Sequence, residues 1–156
     1  VAPTQTLKDT LALDLGERKL TLRAWRTAHT DNDVTVFDET TGTLWLSDLL
    51  FIEHTPVVDG KLKGWLAVMD ELRGIKANSV IPGHGAVQKN WPTAAKNQQR
   101  YLESLLNETR QMLSDRKTMQ QAVETVGVSE RDQWQLFDLF HKRNVTTAFA
   151  ELEWED

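Results

Sequence analysis

The 156-residue sequence contains no cysteine. This absence excludes disulfide bonds, thiolate metal sites and cysteine nucleophiles, and it leaves the cellular compartment open. No apolar run approaches the roughly 20 residues needed to cross a bilayer, so the sequence predicts no membrane-spanning segment. The chain begins with Val-Ala-Pro, without an initiator methionine or a signal-peptide pattern, and we therefore expect either a removed leader or a piece of a longer protein.

The sequence also has no basic stripe. Its 18 basic and 23 acidic residues are mixed along the chain and give a net charge of −5. Because nucleic-acid binding requires clustered cations that neutralise phosphates, we predict no nucleic-acid partner. Glycine-rich phosphate loops and serine nucleophile elbows are absent as well. A hydrophobic content of 40% and a charged content of 26% are typical of a globular protein of one domain.

Alternation of apolar and polar residues predicts two β-hairpins in the first third of the chain. In the first hairpin, residues 11–15 and 20–24 flank a GERK turn, and in the second, the segments VTVFD and TLWLSD flank a Thr-Thr-Gly turn. By this alternation Leu44, Leu46 and Asp48 share one face. A carboxylate therefore stands where an apolar residue would be expected.

Helical patterns dominate the rest of the chain. Apolar residues recur at three- and four-residue steps between Leu62 and Leu72, which predicts an amphipathic helix that ends near Gly74. The SVIP segment is typical of a short buried strand, and three more helices are expected after it, one with a capping box of Thr118 and Gln121. This order of elements predicts an α/β (α+β) fold with one mixed sheet covered by helices.

Three potential metal ligands follow short apolar runs: His29, Asp48 and His84. We expect all three on loops at strand ends, where a rigid sheet can direct them to one point. Zinc accepts imidazole nitrogen and carboxylate oxygen, and two ions can share one carboxylate. Each residue also has an ordinary alternative, because a histidine beside glycine is often only a loop residue and Asp48 suits a cap for the following turn.

The stretch from Ala28 to Val87 resembles the C-terminal half of the metallo-β-lactamase superfamily of hydrolases. In that family a histidine opens the segment, a strand–turn–strand ends in an aspartate followed by apolar residues, and a P-G-H-G loop closes it. The corresponding residues here are His29, Asp48 in LSDLLF, and Pro82-Gly83-His84-Gly85, with Ser47 where the family usually has glycine. The segments PVVDGKLKGWLAVMDEL and HKRNVTTAFAELE further resemble the branch of quinoprotein relay system zinc metallohydrolases.

The resemblance implies an αββα sandwich in which this chain, as a single domain of residues 1–156, supplies the C-terminal portion. Residues 1–90 would form the sheet and the metal-ligand loops, and residues 91–156 the helical part. His29 would complete the ligand set of the first zinc ion, Asp48 would bridge both ions as the catalytic carboxylate, and His84 would bind the second ion. A metal-bound hydroxide would then attack a small-molecule substrate.

The family's H-x-H-x-D-H motif, which supplies the remaining ligands, occurs nowhere in this sequence. Neither ion would reach the three protein ligands typical of a catalytic zinc site. We therefore predict the C-terminal part of a zinc hydrolase that is inactive alone. The alternative is a non-catalytic binding or assembly module on the same scaffold. An unrelated α+β domain fits less well, because both motifs occur in the expected order and spacing.

Two further histidines have weaker assignments. His54 follows Asp48 in a segment that can face a cleft, so it is a candidate for substrate contact, with a solvated loop histidine as the alternative. His141 is flanked by basic residues, and we interpret it as a structural cation near a helix end. The narrower branch resemblance suggests a periplasmic or exported protein, with a cytoplasmic location left open.

The missing half of the sandwich would leave one sheet face uncovered. We expect this face to carry Leu13, Leu15, Leu44 or Leu46. A large apolar patch of this kind is normally covered by protein. The predicted partner is therefore the missing N-terminal half, or a second copy of the chain in a self-associated form.

Overall fold

The computed structural model describes residues 4–155; residues 1–3 and 156, which the predicted domain includes, lie outside the described residues. The strands are β1 (Thr10–Asp14), β2 (Lys19–Ala24), β3 (Val34–Asp38), β4 (Thr43–Phe51) and β5 (Ser79–His84). The α-helices are α1 (Leu62–Arg73), α2 (Lys96–Ser114), α3 (Met119–Thr125) and α4 (Phe137–Leu152). Short 3₁₀ helices cover Thr93–Ala95 and Val128–Gln133. None of the helices within residues 4–155 has the length and apolar character needed to span a membrane.

The five strands form one mixed sheet in chain order. Strands β1 to β4 are antiparallel neighbours, and both predicted hairpins are confirmed, with Leu13 opposite Leu20 and Val36 opposite Trp45. Strand β5 pairs with β4 in parallel, because helix α1 carries the chain back to the same end of the sheet. The predicted mixed sheet with a helical layer is thereby confirmed, as is the capping box of α3.

The core lies between the sheet and the helices. Leu44 and Leu46 are 1% and 0% exposed and belong to one buried cluster with Trp65 and Met69 of α1. The expectation that Leu44 or Leu46 lies on the open face is therefore wrong. Cross-strand partners share a face, and the pairing places Leu13 on the side opposite to Leu44.

The other sheet face is apolar and open. Leu13 and Leu15, which the sequence placed there, are 36% and 62% exposed. Leu15 also lines a shallow groove with Leu20, Val36 and Trp45. Half of the predicted face is thus correct, and the expectation that protein covers it stays a prediction.

A buried amide connects the helical layer to the segment that follows β4. The side chain of Asn144 in α4 is fully buried; it donates to the Pro56 carbonyl at 2.6 Å and to the Tyr101 hydroxyl at 2.9 Å. Its Oδ1 accepts from the backbone N–H of Val58 at 2.9 Å. Three hydrogen bonds from one side chain therefore fix the path of residues 56–58.

His141 belongs to the same network. It is 2% exposed; its Nε2–H donates to the Val126 carbonyl at 2.8 Å, and its Nδ1 lies 3.0 Å from the Tyr101 hydroxyl, which donates to it. Burial lowers the pKa of His141. The residue is structural, but the expected cation at a helix end is wrong, because a buried imidazole that accepts a hydrogen bond is neutral.

We expect acid to destabilise the fold as pH falls below about 6.5, the ordinary pKa of histidine. Burial lowers the pKa of both His29 and His141, so their contribution is complete above the unfolded pKa and is lost as pH falls through the folded pKa. Each residue contributes a slope of at most about 1.4 kcal/mol per pH unit. Urea denaturation at several pH values between 7.5 and 5.5 measures this slope.

The pH range from 7.5 to 5.5 distinguishes the contribution of histidines to stability from that of carboxylates. The Arg18 guanidinium lowers the pKa of Asp38 to about 2, so this ion pair loses stability only at more acidic pH. The His141→Gln variant should show a shallower slope than the native chain. An unfolding free energy of the native chain that is constant between pH 7.5 and 5.5 would contradict the expectation.

Candidate metal centre

Asp48 lies at an irregularity in the pairing of β4 with β5. Ser47 pairs with Pro82 and Phe51 with His84, so β4 uses more residues than β5 over the same distance. Such a bulge reorients a side chain that regular pleating would direct elsewhere. The expectation that Asp48 lies on a loop is wrong, because β4 continues through three more buried apolar residues to Phe51.

The backbone of Ser47 produces part of this bulge. Its φ is +49°, in the left-handed region that costs an L-residue about 1 kcal/mol or more. We expect Ser47→Gly to raise the unfolding free energy by about 1 kcal/mol, because glycine adopts this conformation without strain. Urea denaturation is the measurement. The matched Ser79→Gly variant, in strand β5, should lower the unfolding free energy by about 1 kcal/mol. A lower unfolding free energy in both variants would contradict the strain argument.

Gly83 allows β5 to approach Asp48. A Cβ at Gly83 would lie 2.0 Å from Asp48 Oδ1 and 2.8 Å from the Asp48 backbone nitrogen. Gly85, at φ +97°, follows His84 and turns the chain beside the Ile52 carbonyl. Gly83 and Gly85 therefore serve close backbone packing on both sides of His84, which is the last residue of β5 and not the loop residue that the sequence predicted.

The His29 loop joins β2 to β3 and is held by the start of α1. The Lys61 N–H donates to the Ala28 carbonyl at 2.9 Å. A Cβ at Gly60 would lie 2.4 Å from the same carbonyl, and a Cβ at Gly64 would lie 2.1 Å from the Thr27 carbonyl. The sequence signal that we missed is Gly64 inside a helix, since glycine is unfavourable there unless another backbone approaches closely.

His29 itself is 6% exposed and stacks on Trp65, with ring centroids 5.2 Å apart. Burial lowers its pKa, against the opposing effect of Asp33, Asp48 and Asp59. The ring is therefore neutral near pH 7. Its Nδ1 is buried without a hydrogen-bond partner, an unusual state for a polar atom.

The three predicted ligands meet at Asp48. Its Oδ2 lies 3.9 Å from His29 Nε2, and its Oδ1 lies 3.5 Å from His84 Nε2. Two ligands of one tetrahedral zinc ion, each about 2.1 Å from the metal, are about 3.4 Å apart. The two oxygens of one carboxylate thus face two different imidazoles at distances close to those of shared metal coordination.

The donor set is nevertheless incomplete. In the part of the chain that the structure describes, no group of three or more histidine, cysteine, aspartate or glutamate side chains is arranged to hold a metal ion. The residues present match zinc in chemical type, one imidazole for each side of a shared carboxylate, but they do not form a full coordination shell. His141 is buried in the helical layer and adds nothing to it.

His54, the weaker candidate, lies beside this cluster. Its ring stacks on that of His84, with centroids 4.7 Å apart, and the Phe51 ring packs against both, at 4.6 Å from His84 and 5.7 Å from His54. The His54 Nδ1–H donates to the Thr55 carbonyl at 2.9 Å. His54 thus lies beside the predicted ligands, and its role as a site residue stays a prediction. The contact of Phe51 with His84 was missed because the LSDLLF segment is typical of a core strand.

Comparisons with known proteins agree on the fold. No family model matches the chain, and no curated protein matches it in sequence. A metallo-β-lactamase family protein from Thermus thermophilus is 22% identical, with a TM-score of 0.69 over 97% of this chain and 50% of that chain. A metallo-β-lactamase from Pontibacter korlensis is also 22% identical, with a TM-score of 0.57 over 66% and 50%.

A stereoselective inverting sec-alkylsulfatase from Pseudomonas sp. is 16% identical, with a TM-score of 0.71 over 99% of this chain and 27% of that chain. The chain thus spans half the length of the Thermus and Pontibacter structures and about a quarter of the sulfatase. The predicted αββα half-sandwich is confirmed at the level of fold. Over 97% of its length, this chain shares the fold of one half of the metallo-β-lactamase family protein from Thermus thermophilus.

Proposed function

We propose that this chain is the C-terminal part of a metal-dependent hydrolase, with zinc as the metal and a small molecule as the substrate. The observation that supports the proposal is the placement of Asp48, whose two carboxylate oxygens face His29 and His84 separately. Asp48 would bridge two ions, His29 would bind the first ion, and His84 the second. The similarity to hydrolase structures supports the reaction class but not a particular substrate.

Each of these residues has a distinct task in the proposed site. His29 presents a neutral nitrogen from a buried loop, whereas the side chains of His84 and Asp48 are 45% and 46% exposed and therefore accessible to a substrate. When bound, a pair of zinc ions would act as a Lewis acid and lower the pKa of water to about 7. Gly83 keeps the Asp48 carboxylate between the two imidazoles.

The chain alone supplies too few ligands for catalysis. We infer that the open face around Leu20, Val36 and Trp45 is covered by a second half-domain that carries the missing ligands, and that the isolated chain is inactive. The Thermus structure, of which this chain matches 50%, supports an additional layer of similar size. The quinoprotein relay branch and a periplasmic location stay predictions from sequence resemblance.

Titration of the chain with Zn²⁺, followed by NMR of the histidine side chains and with the oligomeric state determined on the same sample, tests the proposal. We expect little zinc after purification, weak binding in the titration, and shifts of the His29 and His84 signals. Asp48→Ala and His84→Ala should abolish these shifts. His141→Gln, a histidine variant outside the site, should retain them.

Three results would contradict parts of the proposal. Millimolar zinc that leaves the His29 and His84 signals unchanged would favour the non-catalytic module on the same scaffold. Zinc binding that survives both Asp48→Ala and His84→Ala would place the metal elsewhere on the chain. A stable monomer that shows no tendency to associate would argue against a covered sheet face.

A further inference from the structure

The imidazole of His84 packs against two other rings. The Phe51 ring stacks on it with centroids 4.6 Å apart and an interplanar angle of 16°. The His54 ring stacks on it at 4.7 Å and 27°, and the Phe51 and His54 rings also contact each other, with centroids 5.7 Å apart. Because the side chain of His84 is 45% exposed, contacts within this three-ring cluster restrict the plane of its ring more than burial does.

His54 is itself held in place from several directions. Its Nδ1–H donates to the Thr55 carbonyl at 2.9 Å, which fixes the ring on its own backbone. Phe140 of α4 contacts its outer side, with centroids 5.4 Å apart. The ring of His54 therefore contacts both Phe140 in the helical layer and His84, so the packing of α4 restricts where the ring lies beside His84.

Backbone hydrogen bonds fix the same segment to Gln135, two residues before α4. The Thr55 N–H donates to the Gln135 carbonyl at 3.0 Å, and the Gln135 N–H donates to the Glu53 carbonyl at 2.8 Å. Glu53, the residue before His54, has a φ of +64°, a left-handed conformation that is rare for an L-residue. A strained backbone held by neighbours on both sides is a feature of positions where orientation matters.

We propose that His54 is a positioning residue that holds the His84 ring in the plane from which Nε2 faces Asp48 Oδ1. The proposal rests on the proposed metal-binding function and adds a residue to it. Its basis is the ring of His54, because the ring face, and not a nitrogen atom, contacts His84. A fixed ligand ring loses less conformational entropy on metal binding than a free one does.

A substrate contact by His54 would depend on its Nε2 instead. One pair of variants distinguishes the positioning role of the His54 ring from a substrate contact by its nitrogen. His54→Phe keeps an aromatic ring beside His84 and removes both nitrogen atoms, whereas His54→Ala removes both the ring and the nitrogens. His54→Leu, which fills space without an aromatic face, replaces the alanine variant if the latter does not fold.

We expect His54→Ala to weaken Zn²⁺ binding by the chain about fivefold, the affinity equivalent of one stacked aromatic pair. His54→Phe should stay within about twofold of the native affinity. In the zinc-free chain, NMR should show the upfield ring-current shift of the His84 ring protons reduced in His54→Ala and retained in His54→Phe. The control, His141→Gln, should change neither readout.

Unchanged His84 signals and zinc affinity in His54→Ala would overturn the proposal. An affinity loss in His54→Phe as large as in His54→Ala would also overturn it, because a nitrogen atom would then be responsible. If the native chain does not bind zinc at all, the proposed function fails, and the His84 signals of the zinc-free variants still decide whether His54 positions the ring.

Discussion

Replacing Gly83 by alanine is expected to lower the unfolding free energy by about 2–3 kcal/mol and to abolish the zinc-dependent shift of the His84 signals. The added Cβ would lie 2.0 Å from Asp48 Oδ1 and 2.8 Å from the Asp48 backbone nitrogen. Rotation of the carboxylate relieves the first contact and removes a ligand from the site. The second contact involves backbone of β4 and can be relieved only if the two strands separate.

Urea denaturation and the zinc titration measure these two effects separately. Gly74→Ala is the matched control: Gly74 has a right-handed helical conformation at the end of α1, and its added Cβ would lie no closer than 3.3 Å to another atom, the Glu71 carbonyl oxygen. We expect this variant to change stability by less than about 1 kcal/mol, with normal zinc shifts. Equal effects of the two substitutions would show that the approach of β5 to Asp48 does not depend on Gly83.

The Asn144→Ala variant is expected to lose about 3–4 kcal/mol of unfolding free energy. The substitution leaves the Val58 N–H and the Pro56 carbonyl buried without their partners, and each such group costs about 1–3 kcal/mol. It also removes the amide that donates to Tyr101. Residues 56–58 connect His54 to Gly60 and Lys61, which contact the His29 loop. Because the Val58 amide loses its hydrogen-bond acceptor, its hydrogen exchange should accelerate together with the loss of stability.

Two controls identify the cause. Tyr101→Phe removes one hydroxyl from the same network and should cost less, about 1–2 kcal/mol. Asn107→Ala changes the same residue type on the exposed side of α2 and should leave stability unchanged or slightly raised, since alanine is the better helix former. A loss below about 1 kcal/mol in Asn144→Ala would mean that water replaces the amide and that the network does not fix the segment.

Local patterns in the sequence predicted the elements that depend on local interactions. The hairpins are confirmed because alternation and a short turn are enough to define strand pairing over a few residues. The capping box of Thr118 and Gln121 is confirmed for the same reason, since both partners lie within one helical turn.

Non-local contacts account for the expectations that were wrong. Alternation along β4 does not show which face meets the helices, so Leu44 was assigned to the open side although it is buried. The bulge at Ser47 interrupts that alternation and places Asp48 inside a strand. Burial of His141 depends on Tyr101 and Val126, which are distant in sequence, and its charge could not be inferred from its basic neighbours.

The sequence by itself determined the chemical types of the candidate ligands, the strands and helices that carry them, and the family whose fold the chain resembles. Only the tertiary structure decided that His29, Asp48 and His84 meet, and that His54 stacks on His84. The physical reason is the range of the forces involved. Side-chain periodicity and turn preference act over a few residues, whereas the meeting of three ligands requires the parallel pairing of β4 with β5 and the packing of α1 on the His29 loop.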